Sequence, residues 1–172
     1  SLLLAAQLGV GACAASAFDA AYYAEANPDV AAACGTDEAS LLRHYLSSGQ
    51  AEGRKPSARG KAGDSLKLTN EQIALVWSPV PLKDLANYKS LKKKMTDEQY
   101  QAAYQEAVNL VLPVALSSRE EQLTYIAAAL RERFDSGMSY SMDADHYNDP
   151  YGYFVLGSAS CAGCTRATGL CL

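Results

Sequence analysis

The sequence lacks a basic excess: fifteen Lys and Arg stand against nineteen Asp and Glu, a net charge of −4. A nucleic-acid-binding domain needs a basic surface of domain scale, and the single run Lys92-Lys93-Lys94 does not supply one. That run reads as a solvated loop ahead of a helix. Cysteine is also scarce: there are five, an odd number, without the regular spacing of a disulfide framework. No second Cys-x-x-Cys exists to complete a four-thiolate zinc site. Long apolar runs are missing as well, and residues 2–17 are too short for a membrane-spanning helix. What remains is a chain of 172 residues, 49% apolar and 20% charged, which is the balance of a globular protein rather than a disordered one.

Residues 2–17, "LLLAAQLGVGACAASA", carry no charge and end in Ala15-Ser16-Ala17. An apolar core followed by small residues is the pattern of a secretory signal peptide, here without an initiating Met or a basic start. The expectation is a signal remnant over 1–17 and an exported protein. Lipidation at Cys13, after Val10-Gly11-Ala12, is a second option, and a short buried helix interrupted by Gly9 and Gly11 is a third. Cys34, alone in an alanine run, reads as a small core residue.

Residues 18–58 form a first module. Asn27-Pro28-Asp29 signals a turn or helix start, because Pro presets φ and Asn or Asp can cap the next helix. Leu41, Leu42, Tyr45 and Leu46 recur at helical spacing, and Gly49 reads as the stop. The pattern Phe18-Asp19, Tyr22-Tyr23, Asn27 to Val30, His44-Tyr45, Gly49 and Glu52-Gly53-Arg54 resembles a short helical module found near the ends of many secreted and surface-attached bacterial proteins. His44 reads as a surface or packing residue. The Lys-, Gly- and Ser-rich stretch 55–68 reads as a linker, assigned to 59–68 between the module and the C-terminal part of the chain.

Three helix starts then share one device, a Ser or Thr three residues before Gln or Glu: Thr69 with Gln72, Thr96 with Gln99, Ser117 with Glu120. They predict helices over about 70–77, 97–112 and 118–136. Tyr100, Ala103, Tyr104, Ala107, Val108 and Val111 form one apolar stripe, ended by Pro113; Leu123, Ile126, Ala127, Leu130 and Phe134 form another, ended by Gly137. Residues 77–90 read as loop. So do residues 138–157, with one short strand at Tyr153 to Leu156.

The final stretch, "SASCAGCTRATGLCL" (158–172), holds three cysteines and admits four readings. Cys161-x-x-Cys164 has zinc-ligand spacing, with Cys171 and His146 as the remaining donors at hand. It also has the spacing of a redox pair, which would require a preceding βαβ context that the helical sequence does not offer. A buried helix explains Cys164 and Cys171, which share a face with Ala167 and Thr168, and it gives Gly163 and Gly169 a role in close packing. It leaves Cys161 unexplained. A thiol in the first turn of a helix meets unpaired N–H groups and the positive end of the helix dipole, which favour a thiolate and an oxyanion formed beside it. Small neighbours, Ala159, Ser160, Ala162 and Gly163, leave room for a substrate backbone. His146, among Asp143, Asp145 and Asp149, reads as a solvated loop residue rather than a base. Those three Asp lack the glycine and distal Glu of an EF-hand calcium loop.

The helix "REEQLTYIAAALRERFDSGMSYS", a loop, and then "GSASCAGCTRATGLCL" resemble the N-terminal half of a transglutaminase-like domain. Cys161 and Gly163 fall on the Cys and Gly of the motif that opens the family's central helix; Cys164 replaces its usual aromatic, and Ser160 stands where Gly or an apolar residue is common. The resemblance implies an α+β family fold, of which the part present is mainly α-helical, assigned to 69–172. It also implies a papain-like Cys-His-Asp triad with Cys161 as the catalytic nucleophile. The family's His and Asp lie on strands after the Cys helix, which places them beyond Leu172 and leaves these residues alone inactive. The activity implied is that of a secreted cysteine peptidase or acyl transferase, acting on peptide or glutamine amides through a thioester, without cofactor or metal. Its partners would be peptide or protein substrates and cell-wall or surface components, with no nucleic acid and no membrane span in the mature chain. The alternative is a non-catalytic surface-binding protein with a degenerate domain of this type.

Overall fold

The computed structural model describes residues 16–92 and 94–172. The expected signal core and Cys13 lie outside the described residues. The chain divides into two compact units, 1–76 and 77–172. Among the described residues the structure is mainly helical, with two short strands. Among the described residues, no helix is long and apolar enough to cross a membrane.

Among its described residues the first unit holds four α-helices: α1 (Ala20–Ala26), α2 (Pro28–Cys34), α3 (Glu38–His44) and α4 (Asn70–Val76). Asp19 and Asp37 cap α1 and α3 by accepting from the N–H groups of Tyr22 and Ser40, and Pro28 opens α2 at the position where a missing N–H costs nothing. The module's scattered motifs meet in space. Phe18, Tyr23 and Tyr45 form a buried aromatic cluster, with Tyr23 and Tyr45 edge-on at 5.5 Å between centroids. Arg54 forks onto the Asp29 carboxylate at 2.8 and 3.1 Å and donates to Asn27 Oδ1 at 2.8 Å. The "NPD" and "EGR" segments are therefore two halves of one polar clasp. His44 Nδ1 meets Tyr23 Oη at 3.0 Å.

Gly49 is the last helical residue, as expected, but the turn it closes is π-helical, Tyr45–Gly49, and a Cβ there would run into the buried Tyr23 hydroxyl. One expectation is corrected in this unit. Cys34 is exposed, because the last turn of α2 presents its alanine-rich side to solvent. The 59–68 stretch is tied down: Asp64 accepts from Ser16 Oγ at 2.6 Å, and its carbonyl accepts from Tyr45 Oη at 2.6 Å. Ser16 pairs with Leu66 in an isolated parallel bridge.

The second unit holds α5 (Tyr88–Leu91), α6 (Asp97–Val111), α7 (Arg119–Asp135), β1 (Ser139–Tyr140), β2 (Ser158–Ala159) and α8 (Cys161–Cys171). α6 begins in the expected capping box of Thr96 and Gln99. The box of α7 is Ser118 with Glu121, one residue later than expected. α6 packs against α7, α8 and the 152–156 turn, and buries Tyr100, Ala103 and Ala107 with Ile126, Leu130, Phe154, Ala167 and Leu170. The Tyr100 hydroxyl is buried without a hydrogen-bond partner among the described residues. The expected strand at 153–156 is instead a π-helical turn, Gly152–Leu156, and the true strands flank it. The loop at 77–90 contains a short 3-10 turn, Leu82–Asp84, and the start of α5.

Candidate functional site

Cys161 is the first residue of α8 and is exposed. Three contacts fix where that helix starts. Ser160, its N-cap, takes an extended conformation and accepts from Gly163 N at 3.5 Å, while its own carbonyl receives Cys164 N at 2.9 Å. The Ser160 N–H donates to the Tyr147 carbonyl at 2.7 Å. That same carbonyl sits where a Cβ on Gly163 would be, only 2.5 Å away. Gly163 is thus a residue of close approach, as its sequence position suggests, whereas Gly169 faces open space. The N–H groups of Cys161 and Ala162 have no partner among the described residues, as expected of a first helical turn.

The other two cysteines of the stretch differ from Cys161. Cys171 is buried in the core and Cys164 is half-buried against it. Burial pushes the Cys164 thiol above its ordinary value and that of Cys171 up to about 12, so both are held as neutral thiols. The buried face of α8 runs through Gly163, Ala167, Leu170 and Cys171, so Thr168 of the expected face lies at its margin; its hydroxyl donates to the Cys164 carbonyl at 2.9 Å.

His146 and Asp149 are not the solvated loop expected of them. Asp149 is buried, and its carboxylate accepts from His146 Nδ1 at 2.7 Å, Tyr151 N at 3.0 Å and Gly152 N at 3.2 Å. His146 Nε2 meets Gln99 Nε2 at 3.1 Å, while Gln99 Oε1 accepts from Thr96 N in the α6 capping box. With the Gln99 amide in that orientation, the His146 Nδ1 carries the ring proton and its Nε2 accepts. Its backbone takes φ +58, a left-handed conformation that non-glycine residues enter rarely. Gly152 is packed so tightly behind it that a Cβ would strike the His146 and Ser158 carbonyls. The 144–149 loop is therefore held by hydrogen bonds and close main-chain contacts, and the start of α8 lies against it. Its signal in the sequence was Ser160, a capping residue beside Cys161; the loop contacts themselves have no local signature.

Among the described residues, no three His, Cys, Asp or Glu side chains gather as a metal site requires. At the opposite end of α8 from Cys161, a cleft of about 210 Å³ is lined by Trp77, Val80, Tyr104, Val108, Leu170 and Leu172 among others. An eleven-residue helix spans roughly 16 Å, so this cleft is not the surroundings of the Cys161 thiol. Comparison with known proteins finds no matching family model, no matching curated protein and no matching solved structure.

Proposed function

We propose that this chain carries the nucleophile-bearing helical part of an exported, transglutaminase-like cysteine enzyme. In this reading the Cys161 thiolate attacks an amide carbonyl of a peptide or glutamine side chain. The tetrahedral oxyanion is received by the free N–H groups at the start of α8, the amine leaves with a proton, and a thioester remains. Water or a second amine then resolves the thioester, giving a peptidase or an acyl transferase. The observation that carries the reading is the contrast within one helix: Cys161 is exposed at the first N–H groups, whereas Cys164 is half-buried and Cys171 buried, both with thiols that burial pushes upward.

The test is alkylation of the full chain with iodoacetamide at pH 7, resolved by peptide mass spectrometry. Cys161 is expected to react at least tenfold faster than Cys164 and Cys171, and faster than exposed Cys34. Equal rates at Cys161 and Cys34 would show a surface thiol without activation and overturn the proposal. Both ring nitrogens of His146 are already engaged, by Asp149 and Gln99. His146 is accordingly given no role as the base.

A further inference from the structure

Ser90 and Leu91 of α5, Lys94, the loop residues Asn148 and Asp149, and Arg166 of α8 enclose a polar pocket of about 160 Å³. Arg166 is half-buried, and one guanidinium nitrogen donates to the Asn148 carbonyl. Among the described residues, no carboxylate pairs with Arg166 or with Lys94. Asp149, the one acidic wall, turns its oxygens to His146 Nδ1 and to the N–H groups of Tyr151 and Gly152. Two cationic residues thus line the pocket: Arg166, half-buried and bonded only to a neutral acceptor, and Lys94, which is exposed. A half-buried charge without a counterion is costly, and a guanidinium keeps several donors in a planar fork that fits a two-oxygen edge.

We propose that this pocket binds a small oxyanion, the phosphate or carboxylate group of a ligand, held between Arg166 and Lys94. Its size suits one such group. The overall charge of −4 does not attract anions, so binding would come from the pocket itself. The proposal is independent of the role given to Cys161.

The test titrates the full chain with inorganic phosphate and, separately, with acetate, read by ³¹P line broadening and by thermal shift. Saturable stabilisation by either anion is expected, and the tighter of the two names the group. Arg166→Gln should weaken binding by about tenfold, the scale of one charge-assisted hydrogen bond. Lys94→Gln, at an exposed position, should weaken it a few-fold, and added NaCl should weaken it in the wild type. Non-saturable responses to both anions overturn the proposal, as does wild-type affinity in both variants. If Arg166→Gln does not fold, for want of its bond to Asn148, Lys94→Gln decides alone: unchanged affinity overturns the site.

Discussion

Two glycines of α8 offer a matched perturbation. Gly163→Ala and Gly169→Ala both exchange glycine for alanine within one helix, where Ala is intrinsically favoured by about 1 kcal/mol. At Gly169 the new methyl meets nothing within 4 Å, so that preference should appear as stabilisation. At Gly163 the methyl would lie 2.5 Å from the Tyr147 carbonyl oxygen and 3.0 Å from Ala159 Cβ. The nearest atom is main chain and cannot rotate aside, so the loop or the helix must shift. Overpacking of this kind costs about 1–3 kcal/mol, and a shift that breaks the 2.7 Å bond from Ser160 N to the same carbonyl adds about 1 kcal/mol. The two variants should therefore differ by roughly 2–4 kcal/mol, with opposite signs relative to wild type. For a unit of this size that is a Tm separation on the order of 10 °C or more. Trp77, the single tryptophan, belongs to the second unit, so its emission on heating or in urea follows the relevant transition. Gly163→Ala unfolding at or above the Gly169→Ala midpoint would refute the claim that the loop carbonyl fixes the start of α8.

Two further predictions concern the buried polar groups of the same unit. Tyr100→Phe removes a buried hydroxyl that lacks a partner, and should raise stability by about 1 kcal/mol; a loss of that size would mean the hydroxyl is bonded in solution. Cys171, Tyr100 and Tyr153 are all pushed by burial to about 12, from ordinary values of 9.0 for the thiol and 10.0 for the phenols. Their folded values lie above their unfolded ones, so the folded state holds these protons more tightly. The stability they contribute is complete below pH 9 and is lost as pH rises from 9 toward 12. The urea midpoint followed by Trp77 should fall across that window, and Cys171→Ala should flatten its first part, between pH 9 and 10. A midpoint constant to pH 11 contradicts the burial of all three.

How much of this was legible in the sequence depends on the range of the interaction concerned. The Thr69 and Thr96 capping boxes are written in four consecutive residues, and both form. At α7 the doubled pairs Ser117-Ser118 and Glu120-Glu121 satisfy the same pattern in two registers, and the structure selects the later. The apolar run Tyr153 to Leu156 was too short to distinguish a strand from a helical turn, and the deciding fact, the jam of Gly152 against the His146 and Ser158 carbonyls, is tertiary. Cys161 could be singled out because a helix start, a cysteine and small neighbours are all local. His146 and Asp149 could not be read correctly, since a loop rich in Asp looks solvated until Gln99 is known to reach it from α6. That the "NPD" and "EGR" segments meet through Arg54 is a contact between distant positions, which the local pattern does not state.

The placement of the Cys161 thiol depends largely on main-chain atoms: the Tyr147 carbonyl, the Ser160 N–H and carbonyl, and the absence of a side chain at 163. Residues 144, 145 and 147 can therefore exchange side chains widely while the chain path, and with it the first turn of α8, is inherited unchanged. A family descended from such a protein would drift fast in this loop and look unrelated there by sequence, yet keep the helix start in register. Cys161→Ser should likewise leave the scaffold undisturbed, giving a silent copy of the molecule in which anything that still binds does so without the thiol.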